Sequence, residues 1–256
     1  MRSIARLAVL LVLSACALTC TSSSGPTTNS GAPRVLFMGN SLTYTNDLPA
    51  MAQALATASG ISMVTDEVTA PGYALEDHWN YGPARSKVQN GNFDIVIMQQ
   101  GPSSLPESRT FLREWTVIWA EEIRKRGGEP GLYAVWPEAA RSNVFADVHD
   151  SYRLAAEDVS ALFFPVGNTW LEVWARDPSA ALYGPDDFHP SSAGTYAAAV
   201  VIVSILADRD PTTLATTLEL PGVQSSELNE SLAATIRAAA EAVISGITPA
   251  GRGVRR

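Results

Sequence analysis

The feature that most constrains the fold is a repeated alternation of short apolar runs with longer segments of helical period. Five apolar runs have the length of buried strands: residues 35–38, 63–69, 95–99, 132–136 and 163–166. Other segments have the apolar spacing of helices, and we place these helices at residues 48–58, 107–126, 144–160, 192–206 and 228–244. Strands that alternate with helices form a parallel sheet covered on both faces, so we predict an α/β domain.

The first twenty residues have the pattern of an export signal rather than of a folded core. Arg2 and Arg6 precede a short apolar block, residues 7–13, which is too short to span a membrane as a helix. The stretch Leu13-Ser-Ala-Cys16 also resembles the bacterial lipobox, in which cleavage before the cysteine leaves a lipidated N-terminus. We therefore predict a signal peptide with a lipobox over residues 1–20, with unlipidated secretion as the alternative.

The remaining chain divides into a linker, a domain and a C-terminal segment. Residues 21–33 (TSSSGPTTNSGAP) are nearly all Ser, Thr, Gly and Pro, which is typical of a flexible linker. We predict the domain over residues 34–210, because the strand and helix pattern begins at Arg34. Residues 211–256 contain one further helical pattern and end in a basic stretch, so we interpret them as a helical appendage or a tail.

Composition excludes several classes of protein. The chain is 46% apolar and 17% charged, as globular proteins are. Its two cysteines, Cys16 and Cys20, lie in the leader, so the predicted domain has no thiol nucleophile, thiolate metal site or internal disulfide. The formal charge of −8 becomes −10 if residues 1–15 are removed, which argues against nucleic acid as a partner. Membrane contact is expected only through the lipid anchor.

Ser41 lies where a predicted strand ends and a helix has not yet begun, in the stretch VLFMGNSLTYTNDLP. Working groups of parallel sheets collect at this end of the strands. A hydroxyl there can attack an acyl carbon while nearby unpaired N–H groups receive the developing oxyanion. The alternative is that Ser41 simply caps the following helix.

The second candidate is the sequence Tyr183-Gly-Pro-Asp-Asp-Phe-His-Pro190, which precedes a very apolar helix. Asp186 and His189 are three residues apart, so the carboxylate can accept the Nδ1 proton of the imidazole and leave Nε2 as a base. Serine chemistry needs such a base, because a free hydroxyl is a weak nucleophile near neutral pH. A metal site at Asp186, Asp187 and His189 is less favoured, since no second histidine lies nearby in the sequence.

These blocks together resemble the SGNH (GDSL-like) hydrolases over about residues 34–206. The resemblance is carried by Gly39-Asn40-Ser41-Leu42, a glycine loop after the second strand, a polar block after the third, and Asp186-Asp187-Phe188-His189-Pro190. It implies a flavodoxin-like, three-layer α/β/α fold with a five-stranded parallel sheet. It also implies ester hydrolysis with Ser41 as nucleophile, His189 as base and Asp186 as the residue that orients the base.

The resemblance further implies an oxyanion hole, and here the sequence departs from the family pattern. The backbone N–H groups of Ser41 and Gly72 would supply two donors, the latter from the loop Thr69-Ala-Pro-Gly-Tyr73. The family usually has Gly-x-Asn-Asp after the third strand, whereas this chain has Met98-Gln-Gln-Gly-Pro. A glutamine amide offers the same N–H on a longer arm. We therefore expect Gln99, or else Gln100, to be the third donor.

The remaining distinctive side chains have simpler interpretations. His78 and His149 are expected on solvent-exposed helical positions, and His78 could alternatively line the pocket. Trp136 and Trp170 are expected to pack in the core, with a sugar-stacking rim as the alternative.

The sequence thus predicts an exported esterase, lipid-anchored or secreted, that cleaves O-acyl and perhaps acetyl esters of a small molecule or carbohydrate. No metal or organic cofactor is expected. The alternatives are a carbohydrate O-acyltransferase, or a binding lipoprotein that has the same fold and has lost catalysis.

Overall fold

The structure is a computed structural model that describes residues 31–216, 219–224 and 226–247. The predictions for the signal peptide, for Cys16 and for most of the linker concern residues outside these ranges. No helix in the described ranges has both the length and the apolar character needed to cross a bilayer.

A five-stranded, fully parallel sheet forms the centre of the fold, in the order β2-β1-β3-β4-β5. The strands are β1 (Arg34–Gly39), β2 (Val64–Thr69), β3 (Ile95–Met98), β4 (Glu129–Ala134) and β5 (Leu162–Pro165). Residues 35–38 of β1 have no exposed surface, because this strand pairs on both sides and is covered on both faces. The predicted parallel α/β sheet is therefore confirmed.

Helices cover both faces of the sheet. They are α1 (Ser41–Tyr44), α2 (Leu48–Ala58), α3 (Leu75–Asn80), α4 (Ala84–Asn90), α5 (Pro106–Lys125), α6 (Phe145–Val159), α7 (Val166–Arg176), α8 (Ser192–Ala207) and α9 (Glu230–Ser245). Helices α3 to α6 pack together on one face, while α2, α7, α8 and α9 pack on the other. This is the three-layer α/β/α arrangement that the resemblance implied.

Several elements differ from the sequence-based expectation. Helices α3, α4 and α7 were not predicted, and β4 begins at Glu129 rather than near residue 132. Helix α9 contributes buried side chains, among them Ile236 and Ala240, so the C-terminal segment adds to the core. Trp136 and Trp170 are fully buried and stacked at 3.7 Å between ring centroids, which confirms core packing and not a rim.

The topology places the site at one edge of the sheet. Since all five strands are parallel, their carboxyl ends lie along the same edge. The loops after β1, β2 and β3 carry Ser41, Gly72 and Gln99 respectively. The loop that precedes α8 carries His189.

Candidate active site

Ser41 is the first residue of the single-turn helix α1, directly after β1. The cap of this helix is Asn40, whose Oδ1 accepts a hydrogen bond from the backbone N–H of Leu42 at 3.1 Å. Capping is therefore the role of Asn40, and the hydroxyl of Ser41 makes a different contact.

The hydroxyl of Ser41 lies next to His189, although the two residues are 148 positions apart. The Ser41 Oγ to His189 Nε2 distance is 2.8 Å, and the His189 Nδ1 to Asp186 Oδ2 distance is 2.5 Å. A carboxylate only accepts hydrogen bonds, so this network assigns the ring proton to Nδ1 and leaves Nε2 to accept from the serine. The structure brings the three predicted residues into one hydrogen-bonded chain.

The loop around Asp186 fixes both the carboxylate and the imidazole. Asp186 Oδ1 accepts hydrogen bonds from the backbone N–H groups of Phe188 and His189, at 3.1 and 2.9 Å. The carbonyl of His189 accepts from Gly184 N at 2.7 Å, which closes the turn. The hydrogen bond from His189, together with the two backbone N–H donors, lowers the pKa of Asp186 to about 2. The carboxylate therefore stays ionised although half of it is exposed.

Two backbone N–H groups near Ser41 are unused by the protein. In the ranges that the structure describes, neither Ser41 N nor Gly72 N donates a hydrogen bond to a protein acceptor. Gly72 has a φ of +70°, a left-handed conformation that glycine adopts at little cost. The side-chain amide of Asn40 donates to Tyr73 O at 3.0 Å, so the Gly72 loop is tied to the Ser41 loop. Both predicted backbone donors are thus free to bind an anion.

The structure gives Gln99 a role other than the expected third oxyanion donor. Its Oε1 accepts from the backbone N–H of Asn40 at 2.9 Å and from Thr43 Oγ1 at 2.7 Å. Its Nε2 donates to Asn40 Oδ1 and to Gln100 O, which uses both amide hydrogens. The reversed amide would place two donors face to face at Asn40 N, so this orientation is the consistent one. Gln99 holds the nucleophile loop and has no N–H left for an acyl oxygen.

The second glutamine is also engaged in holding loops. Gln100 Oε1 accepts from Leu75 N at 3.2 Å, and its Nε2 donates to Ser103 Oγ at 2.9 Å. Its side chain is almost fully buried. Gln100 therefore links α3 to the loop after β3, and its expected role as the alternative donor is not what these contacts show.

Gly39 leaves room for this arrangement. A Cβ at this position would overlap with Gln99 Oε1 and with Thr43 Oγ1. The glycine therefore allows the glutamine amide to lie directly against the backbone before Ser41.

The expectations for the other two histidines were wrong. His78 is 1% exposed, and its Nε2 lies 2.9 Å from Gly39 O. A carbonyl only accepts, so Nε2 carries the proton, and Nδ1 has no partner among the described residues. Burial lowers the pKa of His78. His149 is half-buried with its ring edge toward Phe163.

Asn40, Thr43 and His78 are supporting residues that the sequence reasoning missed. Asn40 and Thr43 stand inside the block that identified Ser41, so closer attention to the block could have found them. His78 gave no such signal, because its burial follows from the packing of α3 against the nucleophile loop.

A cavity of about 800 Å³ lies elsewhere, between β5, α6, α7 and α9. It is lined by Arg153, Glu157, Phe163, Leu171, Glu172 and Val243, among others. No described residue of this lining is a serine hydrogen-bonded to a histidine, so the arrangement needed to activate a hydroxyl is found only at Ser41. In the described part of the chain there is also no group of three or more His, Cys, Asp or Glu side chains placed to hold a metal ion.

Comparison with known structures agrees with this geometry. No protein-family model and no curated protein matches the chain. A proposed SGNH hydrolase from Slackia heliotrinireducens is 27% identical, with a TM-score of 0.59, over 68% of this chain and 98% of its own. A DUF4886 family protein from Bacteroides uniformis is 18% identical, with a TM-score of 0.68, over 84% and 95%. A lipase/acylhydrolase from Enterococcus faecalis is 13% identical, with a TM-score of 0.56, over 72% and 98%.

The fold, the order of the motifs and these similarities define the class of protein. The chain has the fold of the SGNH/GDSL-like hydrolase superfamily. Its structural neighbours support a hydrolase.

The contacts of Gln99 predict a large loss of stability in Gln99→Met. Methionine has a similar length but leaves the buried N–H of Asn40 and the hydroxyl of Thr43 without an acceptor, so the free energy of unfolding should fall by about 2–4 kcal/mol. Urea unfolding measures this. Gln89→Met is the control, because half-buried Gln89 makes one side-chain hydrogen bond, to Glu122, and should lose about 1 kcal/mol or less. Equal losses in the two variants would contradict the role assigned to Gln99.

The burial of His78 predicts a pH dependence of stability. Its pKa is lowered in the folded chain, so as pH falls through about 6.5 the unfolded chain binds a proton that the folded chain does not. The free energy of unfolding should therefore decrease from pH 7.5 to pH 5.5. His78→Gln keeps a donor near Gly39 O and should flatten this decrease in urea unfolding. His149→Gln is measured in parallel, since burial lowers the pKa of His149 too. An unchanged slope in His78→Gln would refute the prediction.

Proposed function

We propose that the protein is a serine esterase that hydrolyses O-acyl esters through an acyl-Ser41 intermediate. The observation that carries this proposal is the hydrogen-bonded chain from Ser41 Oγ through the His189 imidazole to the Asp186 carboxylate. A serine hydroxyl becomes an effective nucleophile when an adjacent base takes its proton, and Nε2 of His189 is placed to do so.

In the first half of the reaction, Ser41 Oγ attacks the ester carbonyl carbon while its proton passes to His189 Nε2. The Asp186 carboxylate, ionised down to low pH, stabilises the imidazolium that forms. The negative charge on the former carbonyl oxygen is received by the backbone N–H groups of Ser41 and Gly72. The tetrahedral species then breaks its bond to the alcohol oxygen, which leaves with the proton from His189.

In the second half, a water molecule takes the place of the alcohol. His189 Nε2 removes one of its protons as the water oxygen attacks the acyl carbon, and the same two N–H groups receive the oxyanion. The bond to Ser41 Oγ then breaks, and the serine recovers its proton from His189. The products are a carboxylic acid and the regenerated enzyme, and no metal or organic cofactor takes part in these steps.

The substrate we propose is a short O-acyl ester, such as an acetyl ester, on a small molecule or carbohydrate. The side chains of His189 and Asp186 are 34% and 52% exposed, so the reacting atoms lie at an open surface that a bulky alcohol portion can approach. An acyltransferase would use the same acyl-serine and pass the acyl group to a sugar hydroxyl, and product analysis with acceptor sugars separates the two reactions.

Substitution of the nucleophile and the base tests the proposal. The full-length chain, purified in detergent, should cleave p-nitrophenyl acetate and react with a fluorophosphonate probe at Ser41. Ser41→Ala and His189→Ala should each lower kcat/KM by about 10³-fold or more. Ser86→Ala and His149→Ala are the matched controls, and we expect them to stay within about 3-fold of the wild type, because neither side chain belongs to the hydrogen-bonded chain.

Two results would count against the esterase. Undiminished turnover in Ser41→Ala or His189→Ala would exclude the assigned roles. Failure of the wild-type protein to react with the probe would instead favour a binding protein of this fold.

We also propose that the protein is exported and anchored through a lipid on Cys16. The support is the leader sequence, with its apolar block and lipobox. In a bacterial host, the wild-type chain should enter the detergent phase on phase separation, whereas Cys16→Ser should shift to the aqueous phase. Cys20→Ser is the control and should behave as the wild type does. Equal partitioning of Cys16→Ser and wild type would exclude the anchor at this position.

A further inference from the structure

Asn46 connects the loop of Ser41 to the loop of His189. It lies in the short 3-10 turn Thr45–Asp47 that follows α1, with a left-handed φ of 56°. Its Nδ2 donates to Pro190 O at 2.9 Å and to Thr195 Oγ1 at 3.0 Å. Pro190 is the residue directly after His189. One amide, five residues beyond the nucleophile, therefore binds the backbone next to the base across 144 positions of sequence.

A second element lies directly against Asn46. Residues 219–224 and 226–228, which we call the strap, cross this region between α8 and α9. Gly222 of the strap has a φ of +73°, and a Cβ there would overlap with the backbone of Asn46. Leu220 and Leu228 are buried and hold the two ends of the strap in the core. The strap therefore limits how far Asn46 can move away from His189.

The strap also holds the other side of the same junction, at the start of α8. Glu227 Oε2 accepts from the backbone N–H of Ser192 at 2.7 Å, where a carboxylate is favoured by the helix dipole. Ser192 Oγ donates to Gly222 O and accepts from Gln224 N, both at 3.0 Å. Because Ser192 is three residues after His189, these bonds fix the chain that leaves the base.

We propose that Asn46 is a positioning residue that sets the separation of Ser41 Oγ and His189 Nε2, and that the strap keeps Asn46 in place. This inference rests on the proposed esterase function. The distance at stake is the 2.8 Å contact through which the proton moves. A shift of about 1 Å at such a contact costs roughly 100-fold in rate. The C-terminal segment is then part of the catalytic unit and not only a packing appendage.

An isosteric substitution separates positioning from packing. Asn46→Asp keeps the shape and tolerates the left-handed backbone, but it replaces the two donated hydrogen bonds by an acceptor facing Pro190 O. We expect kcat for p-nitrophenyl acetate and the rate of fluorophosphonate labelling to fall by about 10-fold or more, with KM changed less than about 3-fold. Asn92→Asp is the matched control, since Asn92 is also left-handed, at φ 50°, and is exposed.

Two further variants guard against misfolding and test the strap. Asn46→Gly, which suits the backbone conformation and also lacks the donor, should show the same loss of kcat if Asn46→Asp fails to fold. Gly222→Ala should lower kcat in the same direction by displacing Asn46. Its effect should not add to that of Asn46→Asp, because both act on one contact. All rates are measured with the full-length chain and corrected for the folded fraction by circular dichroism.

The outcomes distinguish this inference from the function on which it rests. An active wild-type protein whose folded Asn46 variants keep kcat within about 2-fold would overturn the positioning role alone, and a change confined to stability would do the same. A wild-type protein that neither cleaves the ester nor reacts with the probe would remove the proposed function, and this inference with it.

Discussion

The hydrogen bond between Ser41 and His189 is the contact on which the rest of the site depends. The two residues reach each other because β1 and the segment before α8 end at the same edge of a parallel sheet. Neither loop has a covalent link to the other, so the 2.8 Å contact exists only while both are held from behind. Much of the polar structure around the site serves this purpose.

The nucleophile loop is held by buried side chains rather than by its own short helix. A single turn of helix has little stability by itself, because nucleation is unfavourable and α1 is only four residues long. Gln99, His78 and Asn40 satisfy the backbone groups around Ser41 and tie them to β3, α3 and the Gly72 loop. The family's usual asparagine position is thus occupied by a side chain that supports the loop, and the oxyanion donors that remain are backbone groups.

The sequence predicted the sheet and the three residues of the hydrogen-bonded chain, and the reasons are visible in particular residues. The apolar runs of β1 and β3 are continuous, and Ser41, Asp186 and His189 stand in blocks whose order resembles a family. The start of β4 was misplaced because Glu129, Pro130 and Gly131 lack the apolar pattern of a buried strand. Helix α7 was missed because it follows β5 at Val166 with no turn residue between them. The roles of Gln99 and His78 were inaccessible, since a hydrogen-bond partner distant in sequence leaves no local pattern.

The crowding at Gly39 ties the identities of positions in separate segments to one another. Glycine is required there because the amide of Gln99 and the hydroxyl of Thr43 occupy the space that a methyl group would need. A shorter side chain at either neighbour would release that space and make alanine tolerable, whereas alanine introduced first would displace the loop. Acceptable changes at these positions therefore depend on the order in which they occur, which restricts the mutational routes by which a protein of this kind could exchange its glutamine for the more usual asparagine.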